Sequence, residues 1–312
     1  MNILVIGATG YAGSHLVRAL LERGHRVRGL ARQIERGIPL EKEGMELRVG
    51  DLLHAASLQG IAHEVEVIFN LAASCRLDPP EAKKIMTDGA RNLFRNVDRA
   101  ALKKYIWASN LSVYGFPAAT ARLDENSPLK PAYALGKMTV DAENLARENV
   151  PAIAVRVASI YGPGRDALAA LREGRIRLLN GGENWTSRIH VADLVQVFLA
   201  ALERATPDSV YLAADDLPTI QREFFQELAA VTGATMPLAL ELNAARAFGV
   251  FGRAMNALAG ERQYPMSENV IGLVSGNYFC LNNKIKNELG VRLKYPTFRE
   301  GYKEILETLP RA

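Results

Sequence analysis

Apolar runs of strand length alternate with helical patterns through the first half of the chain. The first run, NILVIG at 2–7, leads directly into a helical pattern at 12–24. Strands that are apolar on both faces and alternate with helices are typical of a parallel sheet covered on both sides. The pattern therefore predicts a Rossmann-type, doubly wound α/β fold with its ligand at the carboxyl ends of the strands. The other predicted strands are 25–32, 45–51, 66–73, 103–109 and 151–157, with helices at about 81–101 and 133–149.

The pattern loosens after Gly164, which predicts a smaller, mainly helical C-terminal domain for the substrate. A turn is expected at 180–188. The segment 189–203, helical after its first residues, and a strand at 209–215 return the chain to the sheet. Further helices are expected at about 218–232, 239–258 and 295–309. The predicted Rossmann domain is 1–162, rejoined at about 189–215, and the predicted substrate domain is 163–188 with 216–312.

Composition narrows the functional classes without choosing among enzymes. The 312 residues are 48% hydrophobic and 23% charged, with a net charge of +4, which is too mild to indicate a nucleic-acid partner. No apolar run is long enough for a membrane span, and Met1 leads directly into a strand, which leaves no room for a signal peptide. Two cysteines and no cluster of metal-ligand spacing predict neither disulfides nor a metal site. A cytoplasmic enzyme is expected.

The sequence GATGYAG carries the signature of a dinucleotide site. Gly7, Gly10 and Gly13 follow the first strand in GxxGxxG spacing and open a helix. Glycine permits the tight turn, lets the backbone approach a pyrophosphate, and packs helix on strand. The amino terminus of the helix then offers free N–H groups and a partial positive charge to phosphate.

The end of the second strand bears on the choice of cofactor. An acidic residue there would bind the ribose hydroxyls of NAD, but the chain has Arg32 at this place. A guanidinium suits a 2′-phosphate, so NADP is favoured and NAD stays open. Asp51 and Leu52 end the third strand and are candidates for the adenine, and the small Ala72 and Ala73 after the fourth strand would let a cofactor pass close to the backbone.

Tyr133 and Lys137, in YALGK, stand four residues apart near the start of a predicted helix, which puts both on one face. A free tyrosine hydroxyl titrates at about 10 and is a poor base at neutral pH. A nearby ammonium and a positive nicotinamide ring would stabilise the phenolate. The pair therefore indicates a tyrosine acid/base, with Lys137 also able to bind the nicotinamide ribose.

At this point the ordered motifs resemble a known family. GATGYAG, GDLL, NLAA, SVYG, YALGK and RVASIYGPG, followed by SRIHVADL and VYLAADD, are similar to the extended short-chain dehydrogenases/reductases over nearly the whole chain. The resemblance implies NAD(P) binding, a tyrosine acid/base and often a homodimer. Further cofactor contacts implied by these motifs come from Thr9, Tyr11, Ala12, Leu71, Tyr133, Lys137, Ala158 and Ile160.

One departure from the family touches the chemistry. The family usually has Ser or Thr three residues before the Val of VYG, and this chain has Asn110 there. A carboxamide has two N–H donors, so Asn110 could polarise a substrate oxygen, with Ser109 or Ser112 holding its amide. The alternative is that Asn110 only caps the turn after the strand. Catalytic candidates are thus Tyr133, Lys137, Asn110 and Ser109, and substrate candidates are Ser112, Tyr114 and Arg188.

Three functions follow from these residues. The leading hypothesis is an NADP-dependent oxidoreductase acting on a carbonyl or secondary alcohol of a small molecule. The second is a nucleotide-sugar epimerase or dehydratase that retains NAD, with Arg188 on a nucleotide phosphate. The third is a non-catalytic NADP-binding sensor, against which the retention of both Tyr133 and Lys137 argues. The sequence does not identify the substrate.

Overall fold

Seven parallel strands form the central sheet of the protein. The computed structural model describes residues 1–72, 82–247 and 268–308. The strands of this sheet are β1 Asn2–Ile6, β2 Arg26–Ala31, β3 Glu46–Val49, β4 Val67–Asn70, β5 Lys104–Asn110, β6 Ala152–Val157 and β11 Val210–Ala213. Their order across the sheet is β11-β6-β5-β4-β1-β2-β3. All six predicted strands of the first half are confirmed, and the late strand joins the sheet beside β6.

Helices cover both faces of the sheet because its strands are apolar on both sides. One apolar cluster packs between β1 and two helices, through Leu16 and Phe198, and another lies on the opposite face around Ile68 and Met138. These helices are α1 Tyr11–Glu22, α2 Ile34–Lys42, α3 Ala90–Arg95, α4 Ala134–Asn149, and, after a short α5 Leu168–Arg172, α6 Val191–Arg204. The helix expected at 81–101 is shorter, since a π-helical turn at Lys84–Gly89 precedes α3 and the chain leaves the helix after Arg95.

The remaining elements form smaller units near the carboxyl edge of the sheet. β7 Ser159–Tyr161 pairs with β10 Arg188–His190, β9 Trp185–Thr186 with β12 Thr219–Ile220, and β8 Arg177–Leu179 with β13 Leu238–Leu240. The helices here are α7 Gln221–Thr232, α8 Glu268–Ser275, α9 Asn283–Asn287 and α10 Phe298–Thr308. The division into two domains stays a prediction.

Two local predictions in this part are wrong. The helix expected from 239 begins instead as β13, because Leu238–Leu240 pairs with β8, and residues 242–247 are helical beyond it. Its continuation to 258 lies outside the described residues. The turn expected at 180–188 contains a 3₁₀ turn at Asn180–Gly182, but Trp185–Thr186 is a strand that pairs with β12.

A buried ion pair fixes β6 against α4. Arg156 donates to both carboxylate oxygens of Glu143, at 3.1 and 2.8 Å, and the two side chains are 3% and 2% exposed. Tyr114 accepts a third bond from Arg156 at 2.9 Å and donates to the Asp124 carbonyl at 3.0 Å. Ser109 donates to Glu143 at 2.6 Å, which completes a polar network inside an apolar layer.

Candidate active site

The strand order reverses between β2 and β4, which both flank β1, and ligands of such sheets bind at this point. Gly7, directly after β1, has φ +80°, and a Cβ on it would lie 2.9 Å from the Leu71 carbonyl carbon after β4. A Cβ on Gly13 would lie 2.0 Å from the Gly7 carbonyl oxygen, so only glycine lets α1 start this close to the turn. The absence of a side chain at these two positions lets β1, β4 and α1 approach one another closely.

The amino terminus of α1 fits a phosphate. Gly10 is its N-cap residue, no side chain caps the helix, and no acidic residue stands in its first turn. Tyr11, the first helical residue, donates its hydroxyl to the Pro163 carbonyl at 3.1 Å, which ties the turn to the loop after β7. Thr9 and Ala12 belong to the same turn and helix start. The uncapped N–H groups and the glycine cradle fit the pyrophosphate of a dinucleotide.

Arg32 is exposed directly after β2 and makes no hydrogen bond or ion pair with any residue of the described ranges. Asp51 has one carboxylate oxygen engaged by the Leu53 N–H at 2.9 Å, and Leu52 is 5% exposed. Ala72 follows β4, and its N–H donates to Asn70 at 3.0 Å. Ala73 lies outside the described residues.

The remaining predicted cofactor contacts, Ala158 and Ile160, come after β6. Ala158 follows β6 and is buried, with its N–H donating to the Ala213 carbonyl at 3.0 Å. Ile160 lies in β7, half-buried, and pairs with Ile189 of β10. The predicted cofactor contacts thus follow β1, β2, β3, β4 and β6 in the chain. Because these strands are parallel, the contacts lie at the carboxyl edge of the central sheet.

Tyr133 is the N-cap residue of α4, and Lys137 lies one turn into the helix with an exposed side chain. The Tyr133 ring is 5% exposed, and a Cβ on Gly272 of α8 would lie 2.7 Å from its Cζ atom. The ring thus fits against a glycine of α8, and Phe116 packs on it with ring centroids 5.5 Å apart. Its hydroxyl lies 3.1 Å from the hydroxyl of Tyr278.

The 3₁₀ turn Leu111–Tyr114 follows β5 directly and packs against α4, the helix that Tyr133 caps. Asn110 is its N-cap residue, and its Oδ1 accepts the Ser112 N–H at 3.0 Å and also the Ser112 hydroxyl. Its Nδ2 donates to the Thr139 hydroxyl of α4 at 3.2 Å. Because a carboxamide nitrogen has two hydrogens, one N–H of this half-buried residue is left without a partner in the described part of the chain. Ser112 therefore orients the Asn110 amide, and Asn110 also caps the turn.

The polar groups of three other sequence candidates are taken up by bonds within the protein. Ser109 donates to Glu143, one turn of α4 beyond the Thr139 that Asn110 contacts, so it does not hold the Asn110 amide. The Tyr114 hydroxyl is bound to Arg156, and burial raises its pKa to about 12. Ser112 is fully buried beneath Asn110.

Arg188 is likewise enclosed. Its guanidinium carbon lies 3.7 Å from the centroid of the Phe224 ring, and the residue is 6% exposed. Burial lowers its pKa to about 10, an effect that the nearby Asp215 carboxylate opposes. The guanidinium packs on an aromatic ring, and its Nη1 donates to the Thr186 carbonyl at 3.3 Å.

Sequence reasoning missed two groups that shape the site. Thr139 receives the Asn110 amide, and Tyr278 contacts the Tyr133 hydroxyl. Thr139 could have been found from its place on α4, six residues after Tyr133. Tyr278 had no local signal, because it is 145 residues away in the chain. Neither a membrane-spanning helix nor a group of metal-ligating side chains occurs in residues 1–72, 82–247 and 268–308.

Comparison with known proteins agrees with the glycine turn and the sheet. Residues 3–214 match the NAD dependent epimerase/dehydratase family. The chain belongs to this family. It is 33% identical over 262 residues to a 3-diazoavenalumate denitrifying reductase of a Streptomyces species, which covers 77% of this chain and 84% of that protein. It is also 27% identical to the 4-hydroxy-2-methyl-3-oxo-4-farnesyl-3,4-dihydroquinoline-1-oxide ketoreductase of Stigmatella aurantiaca. That match covers 93% of this chain and 91% of the relative.

Solved structures share the fold of this family member. A functionally unknown protein from Silicibacter pomeroyi is 29% identical, with a TM-score of 0.74 over 98% of both chains. UDP-glucose 4-epimerase from Thermotoga maritima superposes with a TM-score of 0.77 at 21% identity, again over 98% of both chains. The Rossmann-type fold and the resemblance to extended short-chain dehydrogenases/reductases are thereby confirmed, and the chain is of an NAD(P)-dependent type. The choice between NAD and NADP, the cytoplasmic location and the homodimer stay predictions.

The two adjacent residues Ser109 and Asn110 lead to different expectations. Ser109→Ala removes a hydroxyl that donates to the buried Glu143 carboxylate at 2.6 Å. A hydrogen bond to a charged group contributes about 1.5–3 kcal/mol, so the free energy of unfolding should fall by about that amount. Urea unfolding measures it. Turnover by the folded variant should match the parent, and a large loss of kcat at unchanged stability would instead place Ser109 in the chemistry.

Proposed function

We propose that this protein is an NADP(H)-dependent reductase of a small carbonyl compound, with Tyr133 as the acid that protonates the substrate oxygen. The observation that carries the proposal is Arg32, an exposed cation without a partner in the described chain, at a strand end where no carboxylate stands. A cation here favours the 2′-phosphate of NADP. NADPH is consumed as a reductant, which favours net reduction over a retained cofactor.

The chain's own residues supply the positions that such a reaction needs. The turn at Gly7–Gly13 and the amino terminus of α1 would hold the pyrophosphate, and Lys137 would bind the nicotinamide ribose. When bound, the cofactor supplies the hydride to the carbonyl carbon. Tyr133 supplies the proton to the carbonyl oxygen, and the free N–H of Asn110 donates a hydrogen bond to that oxygen as negative charge develops on it.

The reductase names of two relatives support this reading, and the surroundings of Arg188 argue against the nucleotide-sugar alternative. A relative 29% identical over 263 residues is a UDP-glucose 4-epimerase from Mycolicibacterium smegmatis, which keeps that alternative worth testing. In this chain the guanidinium is buried, lies against Phe224 and is close enough to Asp215 to feel its charge.

The test offers the protein both kinds of substrate. With NADPH and either ethyl acetoacetate or cinnamaldehyde, absorbance at the NADPH band should fall as the carbonyl is reduced. With UDP-glucose and NAD, no UDP-galactose should form. Formation of UDP-galactose without net cofactor consumption, or failure of both carbonyl probes together with failure to bind NADPH, would contradict the proposal.

Cofactor preference tests the role of Arg32 directly. If its guanidinium binds the 2′-phosphate, NADPH should bind more tightly than NADH by about 1.5–3 kcal/mol, the contribution of a charge-assisted contact. Arg32→Asp should reverse that order in isothermal titration calorimetry. Arg26→Asp is the matched control, because Arg26 begins the same strand at the opposite edge of the sheet. Equal affinities in the parent, or an unchanged order in Arg32→Asp, would refute the assignment.

A further inference from the structure

Two buried phenols meet beside the start of α4. The hydroxyls of Tyr133 and Tyr278 are 3.1 Å apart, and the residues are 5% and 3% exposed. Tyr278 also donates to the carbonyl of Gly115, which ends the 3₁₀ turn, at 2.9 Å. A Cβ on Gly276 would lie 2.6 Å from the Tyr278 ring, so the chain leaves room for this ring just after α8.

Counting protons fixes the direction of the two bonds. A phenol has one hydrogen, and that of Tyr278 points to the Gly115 oxygen. The Tyr278 oxygen therefore accepts the hydrogen of Tyr133. Once Tyr133 has given its proton to a substrate oxygen, it can no longer donate, and its phenolate oxygen becomes a strong acceptor. The Tyr278 hydroxyl needs only to rotate about its C–O bond to donate to it.

We propose that Tyr278 is a positioning residue for Tyr133: it holds the protonated hydroxyl in one orientation and donates a hydrogen bond to the phenolate that remains after proton transfer. This inference rests on the proposed function, in which Tyr133 is the proton donor. The Gly115 carbonyl takes the Tyr278 hydrogen in the resting state and releases it when the phenolate forms. No atom leaves Tyr278, and its hydrogen only changes acceptor.

The groups around this pair leave Tyr278 protonated. Burial raises its pKa to about 12, and burial raises the pKa of the neighbouring Cys280 thiol to about 12, so both stay neutral at ordinary pH. Burial does the same for Tyr114 at the end of the 3₁₀ turn. Residues 269–275 of α8 carry no charged side chain. In the first turn of α4 after Tyr133, Lys137 is the one cationic residue. Lys137 and Tyr278 therefore belong to different elements, and both would stabilise the phenolate.

The experiment measures the ionisation of Tyr133 itself. Phenolate absorbance is titrated in the NADP⁺ complexes of the parent and Tyr133→Phe, and the difference between the two curves isolates Tyr133. The same difference is taken between Tyr278→Phe and the double variant Tyr278→Phe/Tyr133→Phe. A charge-assisted hydrogen bond corresponds to a change of about one pH unit or more. The second difference curve should therefore lie at higher pH by about that amount.

Tyr302→Phe is the control, because Tyr302 is a buried phenol whose hydroxyl accepts the Ala167 N–H at 3.2 Å, away from Tyr133. It should leave the Tyr133 curve in place. Coincident curves with and without Tyr278, or no Tyr133 ionisation in either pair up to the pH of unfolding, would overturn the inference. Normal carbonyl reduction by Tyr133→Phe would instead refute the proposed function, so the two failures are distinguishable.

Discussion

Tyr133→Phe should lower kcat for carbonyl reduction by about 10²–10⁴-fold, the usual contribution of a positioned general acid. The substitution removes one oxygen and keeps the ring, which fits against Gly272 and Phe116. Folding and the affinity for NADPH should therefore change little. Kinetics with ethyl acetoacetate and calorimetry with NADPH separate the two effects.

Lys137→Met provides the companion variant. Because its exposed ammonium would both bind the ribose and stabilise the phenolate, its loss should weaken NADPH binding as well as turnover. Tyr302→Phe should keep both. If Tyr133→Phe reduces the carbonyl at the parental rate, the tyrosine mechanism does not apply to this protein.

Asn110→Ala should lower kcat by about 10²–10³-fold, the typical cost of removing one preorganised donor. The structure adds a second effect, since the same side chain caps the 3₁₀ turn through the Ser112 N–H. Alanine removes both the donor and the cap, and the capping loss lowers stability by about 1 kcal/mol. A fall in kcat with alanine alone would not tell the two roles apart.

Two substitutions separate these roles. Asn110→Asp keeps an oxygen for the Ser112 N–H but has no N–H donor at neutral pH, so it should fold normally and turn over slowly. Asn110→Ser restores a hydroxyl donor and should recover much of the activity. Thermal unfolding and kcat are measured for all three variants. Full activity in Asn110→Asp would show that Asn110 only caps the turn.

The sequence predicted those elements of the fold whose conformation depends on neighbouring residues in the chain. Continuous apolar strands and the glycine turn identified β1, β4 and the start of α1, because Gly7 and Gly13 are needed where backbones touch. The Tyr133–Lys137 spacing identified the start of α4. The pairing of β13 with β8 was missed because contacts distant in sequence, rather than local preference, make Leu238–Leu240 a strand.

The side-chain partners in the site were less accessible to sequence reasoning. Ser109 and Asn110 are adjacent polar residues, and they bond to Glu143 and Thr139, which lie one turn apart on α4. Sequence alone did not say which of the two residues would meet which partner. The packing of Arg188 on Phe224 is likewise a tertiary contact that has no signal in the local sequence. Tyr278 reaches Tyr133 only through the tertiary fold.

The fate of the hydride tests the central claim most directly. The protein is incubated with ethyl acetoacetate and NADPH that carries deuterium at the transferable position of its nicotinamide, and the products are analysed by mass spectrometry. The account predicts one deuterium on the carbinol carbon of the hydroxy ester, with an equal amount of NADP⁺ formed, and about 10²–10⁴-fold slower formation of this product by Tyr133→Phe. The opposite result would contradict the account: the protein binds the cofactor and interconverts UDP-glucose and UDP-galactose, while the deuterium stays in the cofactor.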